Sequence, residues 1–212
     1  MKFYLLAVLL STFLLAQAQR NKQINYTNAI GISPLAMIQL EDYTLMFNYE
    51  YRLKKKLALV SDVGFIFYSE YMSNARKTIG FTFRPSVRFY LDHRNSFYLQ
   101  PQILYKMVVY TIHDWLDKET VNGVPAYQQL QDFKYGKYVV GGNLIIGGVL
   151  PIGRKVFFDL YAGLGIRRKT NRIIGEPKSS YTITTGLFAD LYTDGITVPS
   201  VPAGLKVIYL IN

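Results

Sequence analysis

The chain has 212 residues, no cysteine, 18 tyrosines and 13 phenylalanines beside one tryptophan, and a formal net charge of +10 at pH 7. A fold without cysteine has no disulfides to lean on, and no apolar run beyond the first twenty residues is long enough for a transmembrane helix. The basic residues are scattered and not gathered in one run, which argues against nucleic acid and for cations that line a polar interior or face lipid phosphates.

The first twenty residues, MKFYLLAVLLSTFLLAQAQR, carry one charge at Lys2, an apolar stretch from Phe3 to Ala16, and the small-x-small sequence Ala16-Gln17-Ala18. This is the pattern of a secretory signal cleaved after Ala18. The stretch is too short to span a bilayer comfortably as an anchor. Residues 1–18 are therefore expected to be a signal peptide and 19–212 one domain, since no linker-like segment divides them.

From there the chain alternates. "NAIGIS" (28–33) is expected to be the first strand, broken by Pro34. In "YTLMFNYEY", Tyr43, Leu45, Phe47, Tyr49 and Tyr51 share one face against Thr44, Asn48, Glu50 and Arg52. In "LVSDVGFIFY", Leu59, Val63, Phe65 and Phe67 oppose Asp62, Gly64 and Tyr68. "FTFRPSVRFYL" sets Phe81, Phe83, Pro85, Val87, Phe89 and Leu91 against Thr82, Arg84, Ser86, Arg88 and Tyr90. "FYLQPQILYKMVVY" sets Ile103, Tyr105 and Met107 against Gln100, Gln102 and Lys106. The segments around 135–150 and 156–168 repeat the pattern, with Lys137 and Asn143, then Asp159 and Arg167, on the polar side. A period of two means strands with one apolar and one polar face.

The polar faces mix the acids Glu50, Asp62 and Asp159 with Arg52, Arg84, Arg88, Lys106, Lys137 and Arg167. Opposite charges and glycines on one face suit a narrow interior filled by ion pairs, so the apolar faces are expected to point outward to lipid. "KKK" (54–56), "DHRN" (92–95) and "PIGR" (151–154) read as tight turns. Residues 70–77, 111–132 and 171–201 read as longer loops at the opposite end, although 180–192 has strand-like alternation. Short turns at one end and long loops at the other are the habit of outer-membrane strands. The expected fold is all-β: an eight-stranded antiparallel up-and-down transmembrane β-barrel. The closing "PAGLKVIYLIN" puts Leu205, Val207, Tyr209 and Ile211 outward and Lys206 inward. It also looks like an insertion signal for the outer-membrane assembly machinery.

"SPLAMIQLEDYTLMFNYEYRLKKKLAL", "FYLDHRNSFYLQPQI", "FDLYAGLGIRRK" and the terminal "AGLKVIYLI" resemble the small, mostly uncharacterised outer-membrane barrels of Bacteroidota. Those look like relatives of the OmpA and OmpX transmembrane barrels. The resemblance implies an eight-stranded barrel in the bacterial outer membrane, among its lipids and lipopolysaccharide, and it implies no reaction.

No catalytic, cofactor-binding or metal-binding constellation stands out. The two histidines, His93 and His113, each neighbour an aspartate in an expected turn or loop, and no P-loop, HExxH or EF-hand spacing occurs. His113, Asp114, Trp115 and Leu116 within 111–132 form the candidate contact loop, because a tryptophan combines apolar area with a donor. The competing reading makes Trp115 an anchor at the membrane interface. The expected role is structural, surface-binding or accessory, with a filled lumen and no reaction. The alternatives are an accessory subunit of a larger outer-membrane complex and a lipid-modifying enzyme at the rim.

Overall fold

Alternation of this kind gives extended chain, and a computed structural model describes residues 26–38, 42–72, 74–181 and 195–211. Residues 1–18 and most of 180–192, on which a signal peptide and a hairpin extension are expected, lie outside the described residues. The strands are β1 (Asn28–Ile32), β2 (Asp42–Lys54), β3 (Leu57–Ser69), β4 (Ala75–Tyr90), β5 (Phe97–Lys118), β6 (Tyr127–Pro151), β7 (Val156–Ile174), β8 (Thr197–Ser200) and β9 (Ala203–Leu210). A short 3-10 turn, Pro34–Ile38, follows β1, where Pro34 cannot continue the ladder.

All pairings are antiparallel. Each strand from β1 to β7 pairs with its successor, and β9 pairs with both β7 and β1, so the sheet closes into a ring of eight strands. β8 pairs with β7 at Gly165–Arg168 while β9 pairs with β7 at Val156–Ala162. The two are one wall position interrupted at Val201-Pro202, where a proline removes a donor. The β4–β5 ladder likewise skips from Phe83↔Tyr105 to Ser86↔Gln102 around Pro85.

The three tight turns lie at one end of the ring. Asp92 builds one of them, accepting hydrogen bonds from the Ser96 amide at 2.8 Å, the Ser96 hydroxyl at 2.6 Å and the Phe97 amide at 3.0 Å. Burial raises the pKa of this carboxyl, but those hydrogen bonds outweigh it and hold the group below its ordinary value.

At the other end the walls differ from expectation. β5 is 22 residues long and β6 25, and their register runs unbroken to Lys118↔Tyr127. The expected loop 111–132 is thus reduced to 119–126, and His113, Asp114, Trp115 and Leu116 belong to a strand. The physical reason is that alternation persists there: Ile112 and Leu116 are buried inside the ring while His113 and Trp115 are exposed outside it. β7 also extends beyond its expected end to Ile174, so the expected loop 171–201 begins later and contains β8.

Candidate functional site

The ring is inverted relative to a water-soluble core. The side chains it encloses include Arg88 at 1% exposure and Lys137 and Asp159 at 0%, whereas Ile103 at 62% and Leu164 at 70% stand outside. In "FTFRPSVRFYL", Thr82, Ser86, Arg88 and Tyr90 are buried and Phe81, Phe83 and Phe89 are exposed.

The interior polar groups form three tiers between two apolar plugs. Nearest the tight turns, a plug of Ala58, Tyr90, Tyr98, Val149, Phe157 and Leu210 closes the ring. Against it lies Arg88. Its guanidinium donates to Glu50 at 2.9 Å, Asp159 at 2.8 Å and the Gln100 side-chain oxygen at 2.8 Å, and stacks 3.7 Å from the centroid of the Tyr98 ring. Tyr98 donates to the other Asp159 oxygen at 2.5 Å, and Tyr26 and Tyr90 donate to Glu50 at 2.5 and 2.6 Å. Arg52 lies over the Tyr26 and Tyr90 rings, 3.9 and 4.5 Å from their centroids. Two arginines thus face two carboxylates. Tyr98 also needs Gly147 opposite it, because a β-carbon there would run into the Tyr98 ring.

In the middle tier Lys206 donates to both oxygens of Asp62 at 2.8 Å, and Asn48 donates to one of them at 2.8 Å. Gln102 and Asn143 extend this group across the ring, Asn143 donating to Gln102 at 3.2 Å. A cavity of about 10 Å³ borders Asn48, Glu50, Arg88 and Lys206, room for a single water. In the tier nearest the long connections, Asp42 is clamped by Lys106 and by Lys137, the latter at 3.0 Å. Lys137 and Lys169 lie 4.2 and 3.7 Å from the centroid of the Tyr71 ring. A second plug of Met72, Val108, Tyr110, Ile112, Leu116 and Phe133 follows.

Of the residues the sequence singles out, Glu50, Arg52, Asp62, Arg88, Lys106, Lys137 and Asp159 are buried in this interior. Arg167 is half-buried on the same face, beside Gly165. Arg84 is half-buried with its Nε unpartnered, and although its backbone is in register with Asp62, that carboxylate is taken by Lys206. Asp42 and Lys169 were not singled out. Parity alone places them, Asp42 two residues before Thr44 and Lys169 two after Arg167, but each lies at the margin of its alternating segment.

The four residues of the candidate contact loop separate. Leu116 is fully buried in the second plug, so it cannot form an outer surface together with Trp115, which is 55% exposed. Asp114 is tied inward: it accepts from Tyr181 at 2.8 Å, Asn74 at 2.9 Å and the Trp115 amide at 2.8 Å. His113 is exposed and paired with Asp132 at 2.7 Å, which Arg76 also reaches at 3.2 Å. His93 sits in the turn at the opposite end. Chemically, the interior carboxylates are held by cations and tyrosines, an arrangement that fixes structure.

No family model, curated protein or solved structure matches the chain.

Proposed function

We propose that the ring is a transmembrane β-barrel of the bacterial outer membrane, serving a structural, surface-binding or accessory role with its lumen filled. The observation that carries this reading is the inversion: bulky apolar side chains cover the outside while paired charges occupy the inside. In water that arrangement exposes a belt of Phe, Leu, Ile and Tyr far larger than an ordinary surface patch; in lipid it is the favoured one. Six of the eight walls fit as well, since a tilted strand needs about 9 to 11 residues to cross and β2 to β7 run from 13 to 25, while β1 and β9 are shorter at 5 and 8. The tiers of ion pairs and the two plugs support a filled lumen over an open pore.

Expression of the full chain in a Gram-negative host tests this. The expected result is recovery in the outer-membrane fraction with Gln19 at the mature N-terminus and a gel mobility that changes on heating. Recovery as a soluble periplasmic protein, or retention of Met1, contradicts it. The same preparation, extracted gently, tests the accessory-subunit alternative by what co-purifies with it.

A further inference from the structure

The outward face is not apolar all the way up. On β4, β5 and β6, one cross-strand row reads Lys77↔Thr111↔Lys134. Immediately on the turn side of it come Ile79↔Val109↔Gly136 and Phe81↔Met107↔Tyr138. Below the lysines lies an open groove of about 470 Å³, lined by Phe65, Ile79, Phe81, Met107 and Val109, with Lys77 and Lys134 at its upper edge. Both lysines are exposed, and among the described residues neither forms a salt bridge with a carboxylate. Two strand spacings put their backbones about 10 Å apart, with Thr111 between them.

Further cations extend the edge. Arg172, exposed on β7 opposite Gly136, leans on Tyr138 and donates to its hydroxyl at 3.1 Å. Arg168 is exposed nearby on the same strand, past Leu164 and Ile166. The acid closest above the row, Asp132, is already occupied by Arg76 and His113. Among the described residues the cationic edge does not continue onto the neighbouring strands: the outward groups at the corresponding end of β2 and β3 are Tyr43 and Tyr68, with Glu70 bound to Tyr43 at 2.9 Å.

We propose that the Lys77–Thr111–Lys134 row and the groove beneath it bind a phosphorylated membrane lipid, of the lipid A class, at the loop end of the ring. The lysines take the phosphates, Thr111 offers a hydroxyl between them, and acyl chains lie along Ile79, Phe81, Met107 and Val109. This rests on the membrane reading above. What selects the ligand is complementarity: an ammonium pair directly above an apolar groove matches a molecule whose phosphates sit directly above its acyl chains.

The test compares diphosphorylated lipid A with its dephosphorylated form, each added to the refolded full chain in detergent, with binding read by native mass spectrometry. The unaltered protein is expected to prefer the phosphorylated form by about tenfold or more, as charge-assisted contacts imply. The double variant Lys77→Gln/Lys134→Gln is expected to lose that preference while keeping the heat-dependent gel shift. Lys55→Gln/Lys56→Gln, at the tight-turn end, removes the same charge and is expected to keep it. Absence of a preference in the unaltered protein, its persistence in the first variant, or its loss in both variants overturns the site. Flotation with liposomes reads membrane association separately: a chain that does not float refutes the membrane reading and the site with it, whereas one that floats but fails the lipid comparison loses only the site.

Discussion

The inner and outer faces of the same strands are built from opposite chemistry. On β4, Arg88 is enclosed and bound to two carboxylates, while Phe89, its neighbour in sequence, stands outside at 44% exposure. Inside, specificity comes from pairing, since a buried charge is tolerable only where its partner is fixed. Outside, along the belt of Phe, Leu and Ile below the polar upper rows, the common feature is apolar character and not pairing. A substitution should therefore be costly inside when it removes a partner, and costly outside when it adds a charge.

The largest effect is expected inside. Arg88→Leu leaves Glu50 and Asp159 without their shared cation and should cost about 3 to 5 kcal/mol, as breaking buried pairs does. Urea titration of the refolded protein, followed by gel mobility, measures it. Replacing Arg88 and Asp159 together with apolar residues should be less damaging than the single change, because Glu50 then keeps Arg52 beside it and no charge is left in excess. If the single change is the milder one, the interior is not organised by pairing.

Outside, Phe83→Arg sharpens the contrast. Within lipid it should cost about 2 to 4 kcal/mol, less if the site lies near the interface, whereas at a water-exposed position it should stay within about 0.5 kcal/mol. A steric change comes next: Gly147→Ala pushes a methyl group toward the Tyr98 ring that binds Asp159 and should cost about 1 to 3 kcal/mol by overpacking. The same urea titration reads both.

The smallest effect belongs to the loop end, outside the proposed membrane span. Hydrogen bonds from Tyr181, and then from the Trp115 amide, hold Asp114 below its ordinary carboxylate value, while burial, aided by Asp114, pushes the Tyr181 hydroxyl up to about 12. A lowered acid contributes stability above its unfolded pKa and loses it as pH falls through the folded one. A raised phenol contributes below its unfolded pKa, near 10, and loses it as pH rises toward 12. The contact should therefore be constant from about pH 5 to pH 9 and weaken on both sides. Asp114→Asn should shift stability at pH 7 by less than about 1 kcal/mol, yet speed proteolysis near Lys178, where Ser180 bridges to Asp117. A flat pH profile of that cleavage outside this window contradicts the assignment.

The ring of eight was legible because alternation and turn residues report the same thing independently. Lys55-Lys56, Asp92–Asn95 and Ile152–Lys155 interrupt the pattern where the chain reverses. The upper walls were not legible, because above Tyr110 the outward face becomes polar: His113 and Asp132 look like loop residues, although Ile112, Leu116 and Phe133 still mark the inner face. The direction of the charged face could be read from its composition, but the partners could not. Arg88 finds Asp159 from 71 residues away, whereas Arg84, in register with Asp62, does not pair with it because Lys206 arrives from 144 residues along the chain. Such choices depend on ring closure, which strand-by-strand reading does not contain.

Because Trp115 is the only tryptophan, the medium around the outer face can be read at a single position. In a Trp115→Phe background, Phe83→Trp puts one fluorophore on the outward face of β4. After reconstitution into bilayers, this account predicts strong quenching by phospholipids brominated on their acyl chains and little quenching by iodide in the buffer. Efficient iodide quenching without an effect of the brominated lipid would show that the apolar face meets water, and would contradict the membrane reading.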